Sequence, residues 1–578
     1  MSAAAWVEPL MPHLMAAPVL LPMAAAAVML LLGDARRPLK GQINALACAL
    51  NLLAALALLV WVNQNGAQAV GVYLPGNWPA PYGIALVADR LSVMMLLLTG
   101  ALGLASVTYA SGRWDRGGVH FHPLFQMQLM GLNGAFLTGD LFNLFVFFEI
   151  MLAASYGLLL HGSGPARVKA GLHYIAVNLL ASTLFLVGVA VLYGVTGTLN
   201  MADMSRVAAA IGPEDLGLLH AGAAILAVAF LVKAGAWPLN FWLGPAYSAA
   251  VAPVAGLFAV MTKLGVYSVL RVWTLLFAAG AGGAAPFGGG ALAWIGLATL
   301  AAGAIGIAAT HHLGRMAAAC VVMSSGTVLA AIGFGRPDIT AGALYYLMGS
   351  TLAVSAFFLI AELVNRSRQA DETPFYISEV EPEKGFAYPV DMLPPPGVNL
   401  DEDQRPLIGQ AIPAAMAFLG LAFAACAITV AGLPPLSGFV GKIIMLTGLL
   451  GAAQAGGRAI EVAAPIWTLM ALLIGAGLLT TVALSRAGIR YFWAPRGRPA
   501  PRLRVIETAP IALLLLLVGA LAWQADPVLR YAQATARALY QPAGYIAGVR
   551  AAQPVPPPVA AGAGVGAGAA GAGEGARP

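Results

Sequence analysis

Charge is scarce in this chain, and cysteine scarcer. Only 9% of the 578 residues are Asp, Glu, Lys or Arg, against about 25% in an average soluble domain. With 60% of the residues apolar, a soluble globular fold is excluded. The three cysteines, Cys48, Cys320 and Cys426, each lie in an apolar stretch and none belongs to a C-x-x-C pair. A disulfide framework and a thiolate metal or iron–sulfur site are therefore excluded, no cofactor is indicated, and redox chemistry within the chain is not expected. The basic excess is also small, a formal charge of +6 from 30 Lys and Arg against 24 Asp and Glu. Position, not the total, must separate nucleic acid, anionic lipid and membrane loops as its explanation.

Long apolar runs are what the chain does have. A hydrocarbon core about 30 Å thick needs about 20 apolar residues per helical crossing. Windows of that length predict fourteen transmembrane helices, at 14–33, 43–62, 91–111, 123–139, 141–160, 171–194, 221–243, 254–278, 289–309, 317–334, 339–364, 411–448, 464–486 and 505–524. Spans 4 and 10 are short, and span 12 is long enough for one broken helix or two crossings. The fold class is an all-α polytopic membrane protein.

Lys and Arg accumulate in cytoplasmic loops. Counting Arg486, the last residue of span 13, with the loop it enters, the loops after odd-numbered spans carry 18 of them and the opposite loops and tails 8, with 4 more inside spans. The densest cluster runs from Arg486 to Arg504, after span 13. Both termini are therefore expected on the outer side of a bacterial inner membrane. Tyr491, Phe492 and Trp493 beside that cluster read as a juxtamembrane anchor in the lipid bilayer, not as a nucleic-acid surface. The first apolar run carries its positive charges after it, unlike a cleavable signal. Residues 365–409, rich in acid and proline, read as a polar cytoplasmic loop, and 553–578, made of Pro, Gly and Ala, as a disordered tail.

Ionisable groups within the bilayer are costly and usually face a wet cavity or a partner. Glu149 lies at the middle of span 5, Lys233 in span 7, Lys263 in span 8 and Lys442 in the second half of span 12. Central placement puts an interface beyond the reach of a snorkelling lysine. A buried lysine beside a carboxylate makes a switchable proton site, and Glu149 is the one acid at that depth to pair with Lys233. Arg271, toward the outer end of span 8, reads as an interface anchor or packing partner. Glu362 and Glu507, at span ends, read as solvated. His173 is either a packing residue or a relay member, and His311 and His312 are expected to face water.

Two spans are interrupted beside a lysine: Gly235 and Pro238 follow Lys233, while Gly432, Pro434 and Pro435 precede Lys442. Broken apolar segments in corresponding positions of two halves point to an ion site in transporters built from inverted repeats. Spans 7 and 12 lie five apart, and an odd repeat length inverts orientation. The expected organisation is 1–122 with spans 1–3, 123–278 and 289–486 as two inverted five-helix units, 487–552 with a basic loop and the last helix, and the tail 553–578.

The passages GDLFNLFVFFEIMLAASYGLL (139–159), LVKAGAWPLNFWLGPAYSAAVAPVAGLFAVMTKLGVYSVLR (231–271) and AGLPPLSGFVGKIIML (431–446) resemble the antiporter-like family shared by respiratory complex I, membrane-bound hydrogenases and multisubunit Mrp/Pha cation/proton antiporters. The resemblance covers about residues 90–530. It implies that Glu149 and Lys233 match the family's essential pair, Lys263 its relay lysine and Lys442 the lysine of the broken span 12. HHLGRMAAACVVMSSGTVLAAIG (311–333) and YYLMGSTLAVSAFFLIAELV (345–364) are most similar to the D-type branch of the Mrp/Pha antiporters. Other branches often place His and Lys in span 11, where this chain has Gly349, Ser350, Ala353 and Val354. That departure leaves water, Ser350 or Tyr346 to bridge Lys263 and Lys442.

The function so implied is exchange of protons for Na⁺ or K⁺, serving pH and cation homeostasis, within an assembly of other membrane subunits. No carboxylate cage for the alkali cation is visible, so the metal-ion site stays open. Two alternatives remain: a proton-pumping component of an NADH:quinone oxidoreductase or membrane-bound hydrogenase, and a structural scaffold whose charges are inert.

Overall fold

Backbone amides and carbonyls in hydrocarbon must be paired within their own segment, and the chain meets this demand with helices almost throughout. The computed structural model describes residues 10–33, 36–66, 68–118, 120–277, 287–372, 413–455, 460–493 and 503–555. Spans 1 to 6 are α1 (Met11–Leu31), α2 (Arg37–Gln64), α3 (Arg90–Ala110), α4 (Phe121–Leu137), α5 (Leu141–Leu159) and α6 (Pro165–Thr196). A short α7 (Met201–Ala209) precedes span 7, which is split into α8 (Pro213–Lys233) and α9 (Leu243–Ala249). Then come α10 (Ala252–Leu276), α11 (Gly289–Ala309), α12 (Leu313–Gly333) and α13 (Pro337–Glu372). Span 12 is split into α14 (Ala414–Ala431) and α15 (Ser437–Ala455), and α16 (Ile460–Gly488) and α17 (Val505–Trp523) complete the crossings.

Among the described residues fourteen helices are long and apolar enough to cross a membrane. The number agrees with the sequence, but the set differs: the 17-residue α4 is not among them, whereas α14 and α15 count separately. The halves nevertheless follow one another along α13. Phe423 of α14 packs on Phe357, Gly441 of α15 lies on Tyr346, and Gly448 lies on Ile339. Numbers rise along one strand of this packing and fall along the other, so α14 and α15 form one interrupted run antiparallel to α13, not a hairpin.

Both interruptions use the same device. At the end of α8, the N–H of Ala236 donates to the Leu231 carbonyl at 2.9 Å and that of Gly235 to Val232 at 3.1 Å, with Gly235 at φ +66°. At the end of α14, the N–H groups of Gly432 and Leu433 both donate to Ile428 at 3.0 Å, with Gly432 at φ +79°. A left-handed glycine after the last turn satisfies free carbonyls, and the prolines beyond it prevent the helix from resuming.

The centre of the molecule is α10, buried along its whole length except at Trp273 and packed against α3, α8, α12 and α13. Helices α1, α2, α6, α16 and α17 keep exposed apolar faces, as at Leu53, Leu179, Trp467 and Leu516, which suits the rim of a membrane bundle.

The all-α class holds, with details the sequence did not give. A small antiparallel strand pair, β1 (Gly71–Tyr73) with β2 (Leu86–Ala88), lies between α2 and α3. Residues 365–372, expected in the polar loop, continue α13, and the rest of that loop, like 556–578 of the tail, lies outside the described residues. Region 487–552 holds two further helices after α17, namely α18 (Ala525–Tyr540) and α19 (Ala543–Ala551). They fold back, α18 onto α13 and α10 and α19 onto α7. The scan for long apolar runs passes over them because α18 is amphipathic, with polar residues on its outer stripe.

Candidate functional site

Glu149 lies on α5, half-buried, and Lys233 is the last residue of α8, buried. A cation there meets the negative end of the helix dipole. The expected pair is not in direct contact. Ser182 of α6 stands between the two, its hydroxyl donating to Glu149 Oε1 and accepting from Lys233 Nζ at 3.4 Å. The ammonium also lies 5.1 Å from the centre of the Phe148 ring, a cation–π contact. Among the described residues no ion pair joins Glu149 to Lys233.

Lys263, at the middle of the buried α10, faces α12. Its Nζ donates to Ser325 Oγ at 2.9 Å and to the Val321 carbonyl at 3.4 Å. The neighbouring Ser324 shares a hydrogen bond of 2.8 Å with Ser350 of α13. Tyr346, one turn before Ser350, has a fully buried hydroxyl with no hydrogen-bond partner, and its ring centre is 5.9 Å from Lys442 Nζ. Lys442 donates to the Ala431 carbonyl at 2.7 Å, one of the orphan carbonyls that the break in span 12 exposes. A Cβ at Gly432 would collide with Lys442 Cδ, so this glycine serves both the turn and the lysine's room.

The structure thus brings Lys263, Ser350, Tyr346 and Lys442 to one buried polar region and Glu149 and Lys233 to another. Between Lys233 and Lys263 no side-chain hydrogen bond appears among the described residues. Ser182, Ser324 and Ser325 are not singled out by the sequence. Their only signal is a hydroxyl in an apolar run, and a transmembrane serine usually bonds its own helix. Which helix these three face is decided by packing.

Other groups are placed differently from expectation. His173 is exposed and bonds to Lys169 of its own helix, so it does not join the buried row. His311 and His312 are exposed, as expected. Arg271 is a packing partner and no interface anchor: buried, it grips Asp89 through two hydrogen bonds of 2.6 Å and lies over the Tyr267 and Tyr545 rings. Burial alone would raise the Asp89 carboxyl, but Arg271 outweighs it and holds the group below the ordinary carboxylate range. Ser92 lies within 3.4 Å of both the Tyr267 hydroxyl and Arg271. Glu362 is not solvated; it accepts from the Trp114 indole at 2.5 Å and from the N–H of Ala252, the first residue of α10, at 3.2 Å. Glu507 is 2% exposed and paired with Arg366.

Among the described residues no group of three or more His, Cys, Asp or Glu side chains could hold a metal, and the three cysteines are buried and free. What remains is a set of amines, hydroxyls and one carboxylate, which can hold and pass protons but has no ligand cage.

The family model described as "NADH:quinone oxidoreductase/Mrp antiporter, TM" matches residues 138–381. A protein of Rhizobium meliloti (strain 1021), described as the probable D subunit of a K(+)/H(+) antiporter, is 50% identical over 92% of this chain and 96% of its own length. The D subunit of a Na(+)/H(+) antiporter of Alkalihalophilus pseudofirmus is 30% identical over 93% of this chain and 99% of its own. Among solved structures, a chain of the Mrp complex from Dietzia sp. DQ12-45-1b superposes with a TM-score of 0.73 at 24% identity, covering 93% of this chain and 99% of that one. A chain of respiratory complex I from Thermus thermophilus reaches 0.69 at 23% identity, covering 91% and 99%. At these identities the two solved structures speak to the fold alone.

Proposed function

Since the chain belongs to the NADH:quinone oxidoreductase/Mrp antiporter transmembrane family, we propose that it is the D-type membrane component of an antiporter exchanging protons for K⁺ or Na⁺. It works within a larger assembly of membrane subunits in a bacterial inner membrane, with both termini on the outer side. Glu149, Lys233, Lys263 and Lys442 carry the proton. The observation that supports this most is three separate buried contacts, Lys263 with Ser325, Ser324 with Ser350, and Lys442 with the Tyr346 ring, which step from α10 over α12 and α13 to α15 where span 11 has no His or Lys of its own.

The charge logic follows from the geometry. While Lys233 is an ammonium, Ser182 accepts from it and gives its own proton to the Glu149 carboxylate; this arrangement favours both charges. Moving Glu149 away removes the compensating charge beside Lys233 and frees its proton to leave. The released proton moves along α10 toward Lys263, water spanning the stretch that lacks side-chain bonds, and on to Lys442. The units 123–278 and 289–486 serve as two half-channels, each with one interrupted helix beside one lysine.

Everted vesicles carrying the whole complex test this reading. Dissipation of an imposed pH gradient on adding K⁺ or Na⁺ is expected from the native assembly and lost with Lys233→Ala. Intact exchange in that variant, with the complex assembled, would favour the scaffold role. The redox-pump alternative has the shared family and likeness of fold behind it, whereas the curated relatives reported above are antiporter D subunits.

A further inference from the structure

At the end of the bundle reached after spans 5, 7, 9 and 11, a cavity of about 630 Å³ opens between the starts of α6 and α12 and the region around α9. Lys169, His173, His312 and Arg315 form its rim, Phe241 and Trp242 part of its wall, and among the described residues no acidic one lines it. All four rim residues are exposed. Among the described residues neither Lys169 nor Arg315 has a carboxylate partner. A vestibule for an alkali cation would carry the opposite charge, so this cavity is not one.

We propose that the cavity binds the phosphate headgroup of an anionic phospholipid of the inner leaflet. Three observations support it. The rim offers two permanent cations and two imidazoles to one phosphodiester, with an arginine fork suited to its oxygens. On the orientation proposed above, the cavity lies at the cytoplasmic membrane boundary, where basic pockets between helices meet acidic headgroups. Finally, the stripe of α6 that bears Lys169 and His173 continues into the bilayer with Leu180 and Val187, 63% and 44% exposed. Spaced seven residues apart, these apolar side chains share one face of the helix and give an acyl chain its track.

The site adjoins the interrupted span 7, since Trp242, in the wall, lies between α8 and α9 and packs on Tyr174 with ring centres 5.3 Å apart. It does not depend on the proton pathway, and its test reads lipid, not transport. The purified assembly would be reconstituted in phosphatidylcholine with or without phosphatidylglycerol, re-extracted, and its retained phosphatidylglycerol measured by native mass spectrometry. Lys169→Gln with Arg315→Gln is expected to weaken retention about 30-fold, the equivalent of about 1 kcal/mol for each basic side chain lost near an acidic lipid. Lys169→Arg with Arg315→Lys should restore it. Equal retention by the native and Gln-substituted assemblies overturns the proposal. So does a photocrosslinker at Phe241 that captures another protein of the assembly in place of lipid.

Discussion

Ser182 joins two charges that the sequence set eighty-four positions apart, and it was invisible there because a hydroxyl in an apolar run says nothing about its partner. Ser182→Ala removes the hydrogen bonds to Glu149 on one side and Lys233 on the other. Such bonds contribute about 1.5–3 kcal/mol, so cation-dependent proton exchange in vesicles is expected to fall at least about tenfold, with Ser182→Thr close to native. The four ionisable positions themselves were legible, since charge in a bilayer is rare enough to announce itself. Arg271 was legible as a charge but not as a lock, because Asp89 lies in a loop far away in the chain. Asp89→Asn leaves a buried guanidinium unpaired and is expected to cost about 3–5 kcal/mol, seen as a lower unfolding temperature in detergent at neutral pH. The folded Asp89 carboxyl lies below its ordinary value, so its stabilisation is complete above the unfolded pKa of about 3.9. It is lost as the pH falls through the folded value, and the difference between native and variant should shrink in acid.

The two interrupted helices were legible as elements because Gly and Pro leave a local signature, and both breaks fall beside the expected lysines. Their capping geometry was not, since hydrogen bonds from Gly432 and Leu433 to Ile428 need coordinates. Gly432→Ala puts a Cβ at positive φ and against the Lys442 stem. A destabilisation of more than about 1 kcal/mol is expected, together with loss of exchange. Hydrogen exchange at residues 432–436 should quicken, and an unchanged rate there would show that the turn does not hold the lysine. Helices α7, α18 and α19 and the β1–β2 hairpin were missed for a common reason. They are short or amphipathic elements that bury one face through tertiary packing and carry no long apolar run.

For the molecule as a whole, the arithmetic of basic loops gave an expected orientation, and the residues lining the basic cavity, drawn from the ends of α6, α9, α12 and α13, fall together as the alternation of spans requires. Composition could not reveal how the missing His and Lys of span 11 are compensated. On the proposed route the Ser324–Ser350 pair on α12 and α13 takes that place, and the double variant Ser324→Ala with Ser350→Ala should then slow exchange well beyond Ser268→Ala, whose hydroxyl bonds only its own helix. Comparable rates in the two would remove the hydroxyls from the pathway. One further property concerns α10. At one end Glu362 receives its first N–H and at the other Arg271 is held by Asp89. A sheathed column pinned top and bottom is a stator: sliding or tilting it would rupture a buried ion pair at several kcal/mol. On the proposed function, a piston-like stroke of α10 would have to break these contacts, and a stationary axis with movement in the side chains around it is the expectation.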